Sequence, residues 1–179
     1  MNSQHHTCKH FNTSCRNHNR WPLTGALALG FMLAVAGGAA RGDAVTDWNQ
    51  TALRATEIAA MPPPVQARVM AIVHAAVYDA VNAIDRRHAV YAVKVTAPAG
   101  ASMESAVATA AHDALTGLFP SQQATLDAAL KTSLAQIPDG QAKGDGMRIG
   151  GEVAEKILTL RKTDGAAGKT GYSFSSGAG

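Results

Sequence analysis

The sequence predicts an all-α fold, a helical bundle of about five helices, and three observations carry that reading. Alanine fills 36 of the 179 positions, a composition suited to closely packed helices. Apolar residues between 45 and 162 recur at steps of three and four, the helical period. Proline and glycine at 62–64, 120 and 138–140 cut that stretch into segments of helical length. With 46% hydrophobic and 16% charged residues, the chain is too apolar to be disordered throughout. Its length fits one domain with attachments.

Residues 1–44 read as a signal peptide or N-terminal anchor, disordered or cleaved. They carry Lys9, Arg16, Arg20 and Arg41 against Asp43 alone, while 45–179 hold twelve basic and twelve acidic side chains. The excess positive charge therefore lies outside the part expected to fold, which argues against nucleic acid as a partner. Leu23–Ala40 is an uncharged apolar run of 18 residues behind Arg16 and Arg20. A basic stretch, an apolar run and a small-residue exit are the parts of a secretory signal. Cleavage is expected at Ala39-Ala40 or at Ala44. The run is barely long enough to span a bilayer, and Gly25, Gly30, Gly37 and Gly38 weaken it as a permanent anchor. The protein is thus expected to be exported, periplasmic or secreted, and membrane-bound only if the leader stays on. Cys8 and Cys15 lie in this leader with His5, His6, His10 and His18. Their C-x6-C-x2-H spacing matches none of the usual zinc patterns. A chain starting near Val45 has no cysteine, so its core alone must hold it together in an oxidising compartment.

The helical domain is expected over 45–162. Thr46 or Asp47 is placed to cap a first helix with an apolar side of Trp48, Ala52, Ala55 and Ala59. Pro62-Pro63-Pro64 stops it and opens the second helix, Pro64 to about Ile84. Val69, Met70, Val73, Val77, Val81 and Ile84 share one greasy arc of that helix, and His74, Tyr78, Asp79 and Asn82 share a polar one floored by Ala71 and Ala75. Such a helix is expected centrally, between neighbours. Residues 89–101 read as an extended connection with a strand-like stretch from Tyr91 to Val95. Ser102 caps a third helix with Glu104 in its first turn and a stripe of Val107, Ala110, Ala111, Ala114, Leu115 and Leu118. Phe119-Pro120 ends it, and Ser121 is placed to cap a fourth helix bearing Leu126, Ala129, Leu130 and Leu134. After Pro138-Asp139-Gly140 a fifth helix carries Ile149, Val153, Ile157 and Leu160. Gly146 and Gly150 lower its helix propensity by about 1 kcal/mol each and permit a close helix crossing. Gly, Ser and Ala make up 11 of the 17 residues of 163–179, a linker-like tail. It ends without a capping element, so the chain reads as interrupted.

The candidates for chemistry are few. His74 and Asp79 suggest a base and its orienter, but positions five apart on a helix diverge by about 140°. His74, Tyr78, Asp79 and Asn82 are instead expected to form a buried structural network between helices. His112 and Asp113, adjacent and about 100° apart, read as one inward and one outward polar residue. The paired Glu-x-x-His of a di-metal bundle does not occur. Gly168-Lys169-Thr170 fails as a phosphate loop, because its first glycine position is Thr163 and it follows a helix. Asn49-Gln50-Thr51 fits the glycosylation pattern. No catalytic, cofactor-binding or metal residue is assigned.

Six pieces of the sequence carry a resemblance. They are Asp47-Trp48-Asn49, Pro62-Pro63-Pro64, Ala111-His112 ahead of Leu118-Phe119-Pro120, Ile137-Pro138-Asp139-Gly140 and Asp164-Gly165 ahead of Tyr172. The sixth and most specific runs His74-Ala75-Ala76-Val77-Tyr78-Asp79-Ala80-Val81-Asn82-Ala83-Ile84-Asp85. From Val45 to about Tyr172 the chain resembles the N-terminal helical part of bacterial vanadium-dependent haloperoxidase-like proteins, relatives of the type 2 phosphatidic acid phosphatases. The resemblance implies an exported all-helical enzyme that oxidises halide with peroxide or hydrolyses phosphate esters. It also implies vanadate or phosphate held by Lys, Arg, a Ser-Gly-His segment and a late His. Those motifs belong to a later part of family members and do not occur in this chain. The implied partners are a C-terminal helical bundle or a second copy met through helix faces. The alternative is a freestanding exported helical module that binds or stabilises without catalysis.

Overall fold

Asp43 opens the first helix. In the computed structural model, which describes residues 43–168 and 171, its carboxylate accepts the Thr46 amide at 2.8 Å and the Thr46 hydroxyl at 3.0 Å. The helix α1 (Ala44–Ile58) therefore starts ahead of Thr46 and Asp47, which lie inside it and do not cap it. The leader's cysteines, histidines and apolar run, together with Lys169, Thr170 and Tyr172, lie outside the described residues.

Pro63 and Pro64 occupy the first turn of α2 (Pro63–Asp85), where a missing N–H is no loss. Arg86 ends it in the left-handed region, at φ 58°. Ser102 caps α3 (Met103–Leu118) by accepting the Ser105 amide at 3.2 Å. Ser121 is not a cap: it sits within a 3-10 turn, Pro120–Gln122, and α4 (Gln123–Leu134) follows with no side-chain cap. Gly140, at φ 149°, adopts a backbone open to glycine and leads into α5 (Gln141–Lys162). The described residues are all helix and connection, with no strand. The Tyr91–Val95 stretch, expected to be strand-like, is irregular connection with bends at Tyr91 and Ala92. Its amides at 91, 92 and 93 are taken by the Asp79 carboxylate, so no ladder forms there.

The hub is α3, which packs against α1, α2, α4 and α5, whereas α2 touches α1, α3 and α5. The sequence had suggested α2 for the centre. Residues 105–111 of α3 are buried all round, and a helix of small apolar residues on every side is the one that others surround. Its closest neighbour is α5. A Cβ at Gly146 would overlap the Ser105 hydroxyl and the Ser102 carbonyl oxygen. One at Gly150 would overlap the Ala106 carbonyl oxygen and lie 2.9 Å from the Ala110 nitrogen. Ser105 reinforces the crossing by donating its hydroxyl to the Lys143 carbonyl at 3.0 Å. These contacts are the close crossing expected of the two glycines.

Ile72, Val73, Leu115, Leu126, Ile149, Val153 and Ile157 form the large-residue core with Trp48. Ala59 and Leu160, expected in apolar stripes, are exposed, and in α4 only Leu126 is buried. By length and composition α2 could cross a membrane, yet about half of its apolar stretch is buried inside the bundle. It is a core helix.

Candidate functional site

Between α1, α2 and the segment that follows α2 lies a groove of about 470 Å³, a size usual for ligand and docking sites. Val45 and Trp48 from α1 and Val73, Val77 and Val81 from α2 make its apolar walls. Asn49, His74, Tyr78, Asn82, Asp85 and His88 supply its polar edge. Of the four polar residues of α2, His74, Tyr78 and Asn82 line the groove and Asp79 does not.

Asp79 is fully buried. Its two oxygens accept the amides of Tyr91 at 2.6 Å, Ala92 at 2.9 Å and Val93 at 2.7 Å. Asn82, also buried, donates its side-chain amide to the His88 carbonyl at 2.7 Å and accepts the His88 amide at 3.0 Å. Tyr78 is exposed along its ring but donates its hydroxyl to the Ala89 carbonyl at 2.8 Å. These three moor residues 88–93 to the helix that precedes them. Only His74 reaches another helix: its Nε2 lies 3.0 Å from Asn49 Oδ1 of α1, at an exposed position. His74 and Asp79 thus point to different partners and make no acid–base pair.

His74 and Tyr78 form a ridge. Beyond it lies a second hollow of about 500 Å³, lined by Ala71, Ala75, Ala89, Val90 and Tyr91. Arg161 of α5 donates to the Tyr91 hydroxyl at 2.6 Å, with its guanidinium carbon 5.7 Å from the ring centroid. Arg68 fastens the same corner, donating to the Arg161 carbonyl at 3.1 Å and pairing with Asp164 at 2.7 Å. The Ala166 amide first, and then Arg68, hold the Asp164 carboxyl below its ordinary pKa.

The second histidine is arranged differently. His112 Nδ1 lies 2.7 Å from Asp113 Oδ1, and its Nε2 lies 2.7 Å from Asp127 Oδ1 on α4. Trp48 stands edge-on to its ring, with centroids 6.3 Å apart. The adjacent pair is joined by the Nδ1–Oδ1 contact, while His112 is the more covered side chain, 12% exposed against 39% for Asp113. Asp127 had no signal in the sequence, since the pairing depends on how α4 is rotated on α3. Both ring nitrogens face carboxylates, and the neighbouring Thr116 hydroxyl is engaged by the His112 carbonyl. That leaves no free nitrogen to activate a nucleophile.

Among the described residues, no group of three His, Cys, Asp or Glu side chains is placed to hold a metal ion. An oxyanion such as vanadate needs convergent cationic donors. No Lys or Arg lines the groove and Asp85 does, so this groove does not fit vanadate. No protein family profile matches the chain, and no curated protein or solved structure matches it.

Proposed function

We propose that this chain is the N-terminal helical scaffold of an exported vanadium-dependent haloperoxidase-like or phosphatase-like enzyme, with the oxyanion pocket supplied by a further helical bundle seated against α2. One observation carries the reading. The helix bearing the most specific part of the resemblance leaves two apolar hollows open on either side of its His74–Tyr78 ridge. Exposed apolar surface gathered in one place marks an interaction site, and Tyr78, Tyr91, Val45 and Val90, all partly exposed, are the side chains an apolar helix face would cover. Aromatic residues at the centre of such a patch are the usual anchors of an interface. In this reading the scaffold orients the second bundle and the chain alone performs no chemistry.

Two measurements test it. The reading frame beyond codon 179 should encode a Lys, a Ser-Gly-His segment and a late Arg and His. Purified protein of this sequence, given vanadate, bromide and peroxide, or a phosphate monoester, should show no turnover. Activity lost on changing His74 or His112 would overturn the assignment of chemistry to a second bundle. A second reading, a freestanding exported module that binds a partner without catalysis, is favoured by the core that residues 43–162 close for themselves. A stop codon directly after residue 179, in a protein that is soluble and melts cooperatively, would select that reading.

A further inference from the structure

The fourth helix is seated unlike the others. Its only buried side chain is Leu126, with Ala129 and Leu130 partly covered. A crevice of about 300 Å³ runs between it and α1, and one of about 530 Å³ between it and α5. It therefore rests on α3 along one narrow line. Both of its ends are fastened independently. Gln122 donates its side-chain amide to the Ala55 carbonyl at 2.9 Å on one side, and Lys143 of α5 donates to the Ile137 carbonyl at 3.3 Å just past the other end. Between those anchors a single polar contact joins α4 to the hub, His112 Nε2 to Asp127 Oδ1 at 2.7 Å. The His112 side chain is 12% exposed and that of Asp127 52%, so the pair sits at the edge of the seam where its partners reach water as soon as the helix lifts.

We propose that α4 is a strap that lifts from α3 as a unit, well below the free energy of global unfolding, and that the His112–Asp127 contact is the latch setting how often it opens. Elements with few buried apolar contacts open separately from the core they cover. Opening would bring water to His112 and to the edge of Trp48 that packs on it. The inference does not depend on the function proposed above.

Native-state hydrogen exchange of the full chain tests it. The amides of α4 should exchange at least about tenfold faster than those of α3 and α5. Asp127→Ala should quicken α4 by a further factor of about ten, the effect of losing a charge-assisted hydrogen bond, and leave α3 and α5 unchanged. The sign is diagnostic, because Ala is a better helix former than Asp and would by itself slow the exchange of α4. His112→Ala, made on α3, should act on α4 to the same extent, and the double variant should add nothing further. If His112→Ala disturbs the whole bundle, the half-exposed Asp127 decides alone. Protection of α4 equal to that of α3, or an Asp127→Ala variant in which α4 is slowed, unchanged or opened together with every helix, would overturn the proposal.

Discussion

Asp79 and His74 lie five residues apart on α2 and are used in opposite ways. A carboxylate with no exposed surface is costly unless hydrogen bonds replace its water, and three consecutive amides do so here. Asp79→Ala should lower stability by about 3 kcal/mol or more in urea denaturation, since it strands three donors at once. Asp79→Asn should lose less, because an amide oxygen at the Oδ2 position still accepts the Ala92 and Val93 amides while its NH2 faces only the Tyr91 N–H. A loss under about 1 kcal/mol for the alanine variant would mean that residues 88–93 are held by something else. His74 is exposed and makes one bond, to Asn49. His74→Ala should shift stability by about 0.5 kcal/mol or less, while Val77→Asp, a charge placed at a buried position, should cost about 3 kcal/mol. Thermal melts of the two variants would separate them; equal losses would put His74 back in the core. The sequence placed these residues in one polar arc, which the structure divides: Asp79 is buried against residues 91–93, and His74 is exposed beside Asn49. It could not show that a loop, and not a second helix, takes up Asp79, because Tyr91, Ala92 and Val93 contribute only backbone.

At the scale of the helix, starts and crossings decide the outcome. The Thr46 amide first, and the Thr46 hydroxyl with it, hold the Asp43 carboxyl below its ordinary pKa. A lowered folded value means a stabilisation fully present above about pH 4, the unfolded aspartate range, and lost as the pH falls through the folded value. Protection of the Thr46 amide should therefore weaken on acidification, and Asp43→Asn should remove that dependence; an unchanged profile would show that the cap is not ionic. Gly150→Ala probes the crossing of α3 and α5. Ala improves helix propensity by about 1 kcal/mol, but its methyl group meets the Ala106 and Ala110 backbone. Net destabilisation of about 1–3 kcal/mol is expected from overpacking, read as a lower denaturation midpoint; a rise would mean the helices can part freely. The crossing was legible because two glycines one turn apart have few other reasons to sit in a helix. The caps were less so. Asp43, Thr46 and Asp47 all carry oxygen acceptors, and only the extended backbone at Asp43 selects among them. Ser121 failed for the same reason, being already turned into a 3-10 geometry by Pro120.

Across the described residues, the number of helices and most of the core were legible from period and punctuation, but the hub was not. The wide hydrophobic arc of α2 draws attention to that helix, while α3 hides its centrality behind alanines whose small size admits four neighbours. The candidate site was half legible. Its α2 wall follows from the sequence, whereas the α1 wall and the His112–Asp127 contact depend on how helices rotate against one another. The cap at Asp43 also bears on how short the polypeptide can be made on its N-terminal side. Trimming at Ala40 leaves the cap in place. Trimming after Ala44 removes it and sets a new α-ammonium group beside the unsatisfied first-turn amides, at the positive end of the helix macrodipole. Val45 and Trp48, which wall the groove, stand within that frayed turn or just beyond it. If the proposed export with leader cleavage holds, the mature chain is expected to begin at or before Asp43, as N-terminal sequencing would read directly; a start at Val45 in a stably folded protein would show that α1 needs no cap. A single helix end thus sets how far the chain can be shortened before α1 loses its start.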